Sequence, residues 1–400
     1  MPSQLKGPAP AWLRSICAEV AAAVPVKSNL QSLACRWNAH LEKLKEQVPQ
    51  AQVEDQGETV CLGEMSPGCR ACKQGKWDCI FLTMQCDLAC RFCYSPDRID
   101  RQYRGSAFGK HPEQLADGYA RAGVEGIAFT GGEPLLEKQV LFDWLAFLKE
   151  KCPDRYFWLY TSGKAADRMT FQTLAKLGLD EIRFNVAATG YHNPVVMRNL
   201  AEAVRSISNV TIEIPSIPED EAHLLAGLRE WAKVGVRYLN LHELLFEPGT
   251  RSESMPGPRL DVVLPDGHRA AIDPRSRPLT LKVMKMVSEQ ALSIRVNDCS
   301  LQSKIRQIRM RRASLAPQTA APFETLSGDF LESWCGYAGE NDYVLFSPAE
   351  LAQKQALLPG YRFVRLARLV PLSLDEQPRW VLCEEAGGNQ VGFPGTQTDS

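Results

Sequence analysis

Between residues 80 and 243 the apolar and polar positions change period in a steady rhythm. Short apolar runs ending in glycine, proline or hydroxyl residues alternate with longer amphipathic stretches of helical period. Ile80–Gln85, Ile127–Thr130, Tyr156–Tyr160, Glu181–Val186, Val210–Ile214 and Arg237–Glu243 read as strands. Pro112–Ala122, Lys138–Lys151, Met169–Leu177, Pro194–Ser206 and Ala222–Val234 read as helices between them, with Gly178 and Gly235 as stops. Short, buried-looking strands joined by helices predict parallel pairing with helical crossovers. Polar and glycine residues gather just past the strand ends, where a β/α barrel carries its chemistry.

The flanks follow other patterns. Residues 10–48 have helical period, and the polar stretch 49–60 reads as a linker. Beyond Phe246, residues 247–280 are rich in Pro, Gly and Arg. Leu281–Gln290 then reads as a helix, Leu292–Asn297 as a strand, and Gln302–Ala316 as a basic helix. Asp329–Glu385 looks like short strands and turns, and the polar, Gly-rich residues 386–400 read as disordered. The expected organisation is an N-terminal helical segment and linker (1–60), a Cys-rich segment (61–79), a partial barrel (80–250) and a C-terminal α+β extension with a polar tail (251–400).

Composition narrows the function. A net charge of −1 gives no global field toward nucleic acid or an anionic membrane. No apolar run approaches the roughly 20 residues that span a bilayer. The stretch Ile16–Val26 contains Glu19 and Pro25 and has no basic leader, which argues against a signal peptide. The thirteen cysteines are crowded between Cys61 and Cys93 rather than spread evenly. That distribution reads as metal ligands in a reducing cytoplasm, not as a disulfide scaffold.

Cys86, Cys90 and Cys93 have C-x3-C-x2-C spacing, with no close fourth thiol or histidine. A structural zinc site wants four ligands. Three thiolates can hold three irons of a [4Fe–4S] cube and leave the fourth iron open, whereas electron-transfer ferredoxins use four. Downstream, Phe129-Thr-Gly-Gly-Glu-Pro134 is a strand running into a glycine turn. In this order, at the ends of the first two predicted strands, the two motifs resemble the radical S-adenosylmethionine (radical SAM) enzymes.

The resemblance implies a partial (β/α)6 barrel, a [4Fe–4S] cluster on Cys86, Cys90 and Cys93, and S-adenosylmethionine (SAM) chelated at its open iron. One electron, from flavodoxin or ferredoxin, would cleave SAM to a 5′-deoxyadenosyl radical. By the same resemblance Phe92 packs near the cluster and adenine. Gly131, Gly132, Glu133 and Pro134 would receive the methionyl ammonium, with Glu133 as an acceptor in an exposed turn. Thr161, Ser162 and Asn185 would meet the carboxylate and ribose, and Ser216 and Ile217 the adenine. As ordinary residues, these are also common turn formers and core.

Three further features stand beside that frame. His242 and Glu243 close the sixth strand; neighbours on a strand face opposite ways, so one of them faces the barrel, where it could contact substrate or donate a proton. Asn240 and His242 share a face. Cys61, Cys69, Cys72 and Cys79 form C-x7-C-x2-C-x6-C, a candidate second metal centre of zinc or iron–sulfur type, or else four small buried thiols. The helix from Lys304 carries Arg306, Arg309, Arg311 and Arg312, either a solvated face or a grip for an anionic substrate. Cys299-Ser300 before that helix, Gly68–Cys72 and Asn240–Leu244 resemble a little-characterised group related to pyruvate formate-lyase activating enzymes.

The expected function is hydrogen abstraction from a small or nucleotide-like substrate. A protein, peptide or RNA modifier, including an activase, is the alternative. A non-enzymatic iron–sulfur or zinc module is the rival of another class; it has no use for Gly-Gly-Glu-Pro.

Overall fold

The computed structural model describes residues 9–22, 30–93, 112–264, 268–372, 379–386 and 389–390. Most of the polar tail and the end of the apolar stretch Ile16–Val26 lie outside the described residues. The elements are, in order, α1 (Ala11–Ala22), α2 (Leu30–Gln47), β1 (Ala51–Glu54), β2 (Thr59–Leu62), α3 (Pro67–Lys73), β3 (Trp77–Thr83) and α4 (Pro112–Arg121). Then come β4 (Gly126–Gly131), α5 (Lys138–Lys151), β5 (Tyr156–Thr161), α6 (Arg168–Lys176), β6 (Glu181–Phe184), α7 (Pro194–Ser206), β7 (Asn209–Ser216), α8 (Glu221–Val234) and β8 (Tyr238–Glu243). They are followed by β9 (Leu245–Phe246), β10 (Leu260–Val263), β11 (Arg269–Ile272), α9 (Ser276–Glu289), β12 (Arg295–Cys299) and α10 (Leu301–Thr319). The remainder is β13 (Thr325–Ser327), β14 (Phe330–Tyr337), β15 (Tyr343–Phe346), α11 (Leu351–Leu357), β16 (Arg362–Leu369), β17 (Arg379–Glu385) and β18 (Asn389–Gln390).

The chain forms two compact units, one of Met1–Ser28, Val263–His268 and Ile308–Ser400 and the other of the remaining residues, so that α10 is divided between them. The larger, Asn29–Val262 with Arg269–Gln307, is built on a nine-stranded sheet of order β1-β2-β12-β8-β7-β6-β5-β4-β3. Strands β3 to β8 pair in parallel, neighbour to neighbour. The sheet is open, since β3 pairs with β4 alone among the described residues. This is the expected partial barrel, extended by β12, which runs parallel to β8 with Asn297 opposite Asn240 and Cys299 opposite His242.

Strand residues alternate between two environments. On β6, Ile182 and Phe184 are fully buried, and the Phe184 ring lies 6.1 Å from Phe171 of α6. Glu181 and Arg183 point the other way, into the hollow of the sheet, where they bond to one another and to strand-neighbour side chains. The helices cover the apolar side. Their ends are set locally: Asp167 and Thr170 form a capping box on α6, and Gly235 closes α8 at φ 103°.

Residues 49–60 are not a linker. β1 and β2 form an antiparallel hairpin, and β2 pairs with β12. Val53, Val60 and Leu62 supply an apolar face too short to register within a polar stretch; pairing with β12 stabilises it. The strand read at Leu292–Asn297 starts later, because the Leu292 N–H still bonds Val287 O at the end of α9. On the outer side, fully buried Arg277 of α9 bonds Asp298 at 2.7 Å, Gln302 at 3.0 Å and Gly57 O, and its guanidinium lies 5.3 Å from the Trp37 ring. Four chain segments are tied by this one cation, so losing it would cost about 3–5 kcal/mol.

The basic helix is an internal fastener rather than an anion grip. Arg306 pairs with Asp55 at 2.9 Å within the larger unit. In the smaller unit Arg309 and Arg312 face Asp329, Arg312 also donates to Val370 O, and Arg311 donates to Leu372 O.

The smaller unit holds an antiparallel sheet of order β13-β14-β16-β17-β18, with β15 on β14. Helix α1 packs on it through Leu13, Ile16, Cys17 and Val20 against Cys335, Tyr337, Val364 and Leu366. Cys17 and Cys383 are joined in a disulfide, linking α1 to β17. Among the described residues, no helix is long and apolar enough to cross a membrane.

Candidate active site at the strand ends

Cys86, Cys90 and Cys93 lie in the loop after β3, Cys86 exposed and the others half-buried. The loop is anchored on both sides. Lys164 pairs with Asp87 at 2.8 Å, Arg91 with Asp220 at 2.5 Å, and the Ser252 N–H bonds Cys93 O at 3.2 Å. Phe92, 8% exposed, sits in an apolar cluster with Ile217, Leu244, Phe246, Met255 and Ala271, and Cys90 packs on it. One aromatic therefore fixes the cysteine loop against the end of β7.

Burial raises the Cys86 and Cys90 thiols; for Cys90 the negative charge of Cys93 and Cys86 adds, taking it up to about 11. Thiolates crowded this way need a cation to deprotonate them. Among the described residues no three His, Cys, Asp or Glu side chains gather as around a single ion. A cubane does not require that, since each iron takes its own thiolate. Three neighbouring thiols on one anchored loop, with partial exposure, fit three corners of such a cluster.

The glycine turn is fitted to that loop. The Gly132 N–H bonds Thr83 O and the Glu133 N–H bonds Gln85 O, both at 2.8 Å. A Cβ on Gly131 would lie 2.0 Å from Thr83 O, and one on Gly132 2.1 Å from Gln85 O. The glycines let the end of β4 press against the residues that lead into Cys86.

Glu133 is not in an exposed turn. It is 1% exposed, and its carboxylate accepts from Thr161 Oγ1 at 2.7 Å, Ser162 Oγ at 2.6 Å, Ser162 N at 2.8 Å and Leu135 N at 3.2 Å. With its lone pairs turned inward to these donors, it locks the end of β4 to the end of β5. Pro134 is buried behind it at the start of a short 3-10 turn. Thr161 and Ser162 are buried by the same lock. Asn185 caps a turn, accepting from Ala188 N at 3.2 Å. Ser216 is fully buried; its carbonyl accepts from Ser276 Oγ, and its own hydroxyl has no partner among the described residues. Ile217 belongs to the Phe92 cluster.

Of the strand-end pair, only His242 faces the hollow. Its Nε2 lies 2.6 Å from Glu213 Oε1, and Glu213 also accepts from Arg183 at 2.8 Å and Asn240 at 2.9 Å. Burial lowers His242 and Lys304 adds to that, while the bond to Glu213 opposes it. Burial would raise Glu213, but Arg183, His242 and Asn240 together hold it well below the usual carboxylate range. Glu243 lies on the outer side, where it accepts the Leu301 N–H at 2.9 Å at the start of α10. It is therefore separated from the hollow, as strand alternation requires.

Glu213, Arg183 and Tyr160, whose hydroxyl lies 3.2 Å from Arg183, were not singled out from the sequence. Their signal is alternation: Glu181-Ile-Arg-Phe184 and Thr211-Ile-Glu-Ile214 place polar residues at every second position of buried strands. The hollow is open in part. Phe81, on the same face of β3 as Cys79, is 39% exposed.

The four cysteines of the Cys-rich segment lie on three elements. Cys69 and Cys72 lie on α3 and Cys79 on β3. Cys61, on β2, bonds Gln52 Oε1 at 3.5 Å. Burial raises the Cys72 thiol well above its ordinary value, and the neighbouring Cys69, Cys79 and Cys299 add to that.

The model of the Radical SAM superfamily matches residues 80–232. A putative glycyl-radical enzyme activating enzyme of Methanocaldococcus jannaschii is 24% identical over 283 residues, 67% of this chain and 72% of that protein. Among solved structures, Streptococcus suis SuiB bound to S-adenosylmethionine is 14% identical at a TM-score of 0.42, covering 56% of this chain and 50% of SuiB, so the chain spans about half of that relative. Methylornithine synthase is 12% identical at a TM-score of 0.40, covering 71% of this chain and 85% of the synthase.

Proposed function

As a member of the radical SAM superfamily, the chain is an enzyme, and we propose that it cleaves SAM reductively and abstracts hydrogen from a small polar substrate held in the hollow of the sheet. When bound, the [4Fe–4S] cluster supplies the electron, taken from flavodoxin or ferredoxin, that breaks the SAM sulfonium to give a 5′-deoxyadenosyl radical. Cys86, Cys90 and Cys93 are the proposed ligands. Phe92 and Ile217 hold that loop against the β7 end and offer an apolar surface for adenine. Gly131 and Gly132 keep the β4 end close to the cysteine loop. Glu133 acts as a positioning residue, holding Thr161 and Ser162 in place beneath the methionyl end. Asn185 and Ser216 stand at the neighbouring strand ends. A second metal centre in the Cys-rich segment belongs to the same proposal.

The observation that carries the substrate class is the His242–Glu213 pair on the inner face, where His242 stays partly exposed while Arg183 and Asn240 are buried. His242, with 18% of its side chain exposed, is the proposed substrate contact. An imidazole bonded to Glu213 can steady a hydroxyl or carbonyl and can exchange a proton with it. The name of the Methanocaldococcus jannaschii relative favours a second reading, activation of a glycyl-radical protein.

One experiment separates the two. Reconstituted protein is incubated anaerobically with SAM and dithionite, then with cell extract split into small-molecule and protein fractions. The proposal expects 5′-deoxyadenosine in wild type and none in Cys90→Ala, with consumption of a metabolite. A glycyl-radical EPR signal in the protein fraction alone would establish the activase reading instead. Deoxyadenosine release by Cys90→Ala would overturn SAM cleavage at this loop.

A further inference from the structure

We propose that Cys69, Cys72, Cys79 and Cys299 hold a second iron–sulfur cluster, with Cys61 outside the ligand set. The inference deepens the second-centre reading above and rests on it. The sequence groups Cys61, Cys69, Cys72 and Cys79 by proximity along the chain; the fold regroups them by proximity in space.

Cys69 and Cys72 are one turn apart on α3, the helix that joins β2 to β3. This helix is pushed into the hollow: a Cβ on Gly68 would lie 2.6 Å from Arg183 Nη2 and 3.3 Å from the Trp158 ring. Cys79 projects from β3, on the same face as exposed Phe81. Cys299 ends β12 directly opposite His242, whose side chain is in the hollow. Strands β3 and β12 are the first and last of the parallel run and do not pair with each other. Helix α3 lies between them: Asn240 of β8 donates to its Cys69 at 3.2 Å, and a Cβ on Gly126 of β4 would lie 2.9 Å from the Cβ of its Ala71. Cys72, Cys79 and Cys299 are half-buried, although all three lie on the inner side. Thiols serving only as small core hydrophobes would be sealed by packing.

The surroundings suit bound thiolates. Asn240 Nδ2 donates to Cys69 Sγ at 3.2 Å, and Asn297 Nδ2 lies 3.9 Å from it. N–H donors aimed at a ligand sulfur are among the groups that set a cluster's potential. Zinc would draw four sulfurs around one ion, and no such convergence is found among the described residues.

The test removes the first cluster. The Cys86/Cys90/Cys93→Ala variant is reconstituted anaerobically with iron and sulfide. About four irons and four sulfides per chain are expected, with a reduced-cluster EPR signal that does not change on adding SAM. Adding Cys299→Ser should abolish that iron, and adding Cys61→Ser should leave it. The opposite pattern, no iron, or one zinc per chain would overturn the proposal. Where Cys299→Ser fails to fold by circular dichroism, thiol alkylation of the wild-type holoprotein decides. Cys69, Cys72, Cys79 and Cys299 should become alkylated together when iron is chelated; modification of all four before chelation would overturn the site. Because the triple variant cannot cleave SAM, failure here and failure of the SAM proposal are separate results.

Discussion

Glu133 shows how a motif residue can matter without touching a ligand. Its four donors come from the ends of β4 and β5. In Glu133→Gln an amide NH2 replaces one oxygen, and a backbone N–H cannot turn away from it as a hydroxyl can. Leaving such a buried donor unsatisfied costs about 1–3 kcal/mol, a fall of roughly 2–4 °C in Tm for each kcal/mol in a unit of this size. Thermal melts and SAM titration of one sample should show stability and affinity falling together. Lost affinity at unchanged Tm would instead place the carboxylate on the SAM ammonium. Gly132→Ala tests the neighbouring contact. Its Cβ would meet the Gln85 carbonyl at 2.1 Å, so the cysteine loop must shift, and iron analysis should show the variant binding fewer irons than wild type. Full iron content would show that the loop yields without losing its ligands.

At the scale of the element, the helices stop and start on local chemistry. Asp167 accepts from Thr170 N at 2.8 Å and Thr170 Oγ1 at 2.7 Å, and those bonds hold its carboxyl below its ordinary value of 3.8. A carboxylate lowered in the folded state adds stability above its unfolded pKa, and that stability is lost as pH falls through the folded one. Asp167→Ala should therefore cost about 1 kcal/mol at pH 7. The gap in Tm between wild type and variant should close as pH drops beneath 3.8. A gap of constant size at all pH values would mean that the charge plays no part. The parallel strands β3 to β8 were legible by the same local logic; the β1–β2 hairpin, whose apolar face acquires its meaning from β12, and the short strands β9, β10 and β11 were not.

At the scale of the whole molecule, the Cys17–Cys383 bond ties the start of the chain to its last long strand. It departs from the expectation that the cysteines serve as metal ligands in a reducing compartment. Peptide mapping without reductant should recover the two cysteines linked. Cys17→Ser should destabilise the smaller unit by about 2–5 kcal/mol, seen as an earlier melting step. Recovery of both cysteines as alkylated thiols after unreduced denaturation would show that the bond does not form.

The sequence by itself determined the parallel α/β rhythm, the cluster spacing of Cys86, Cys90 and Cys93, and the glycine turn that follows. Those features are written in near neighbours, where helical and strand periods, turn chemistry and loop-ligand spacing act over a few residues. Strand alternation also settled that His242 and Glu243 cannot share a face. Only the tertiary structure decided which of the two looks inward, that Glu133 is saturated by Thr161 and Ser162, and that Glu213 and Arg183 stand beside His242. Each of these depends on side chains from distant segments meeting across a curved sheet. Register and curvature place them, and no local period records either.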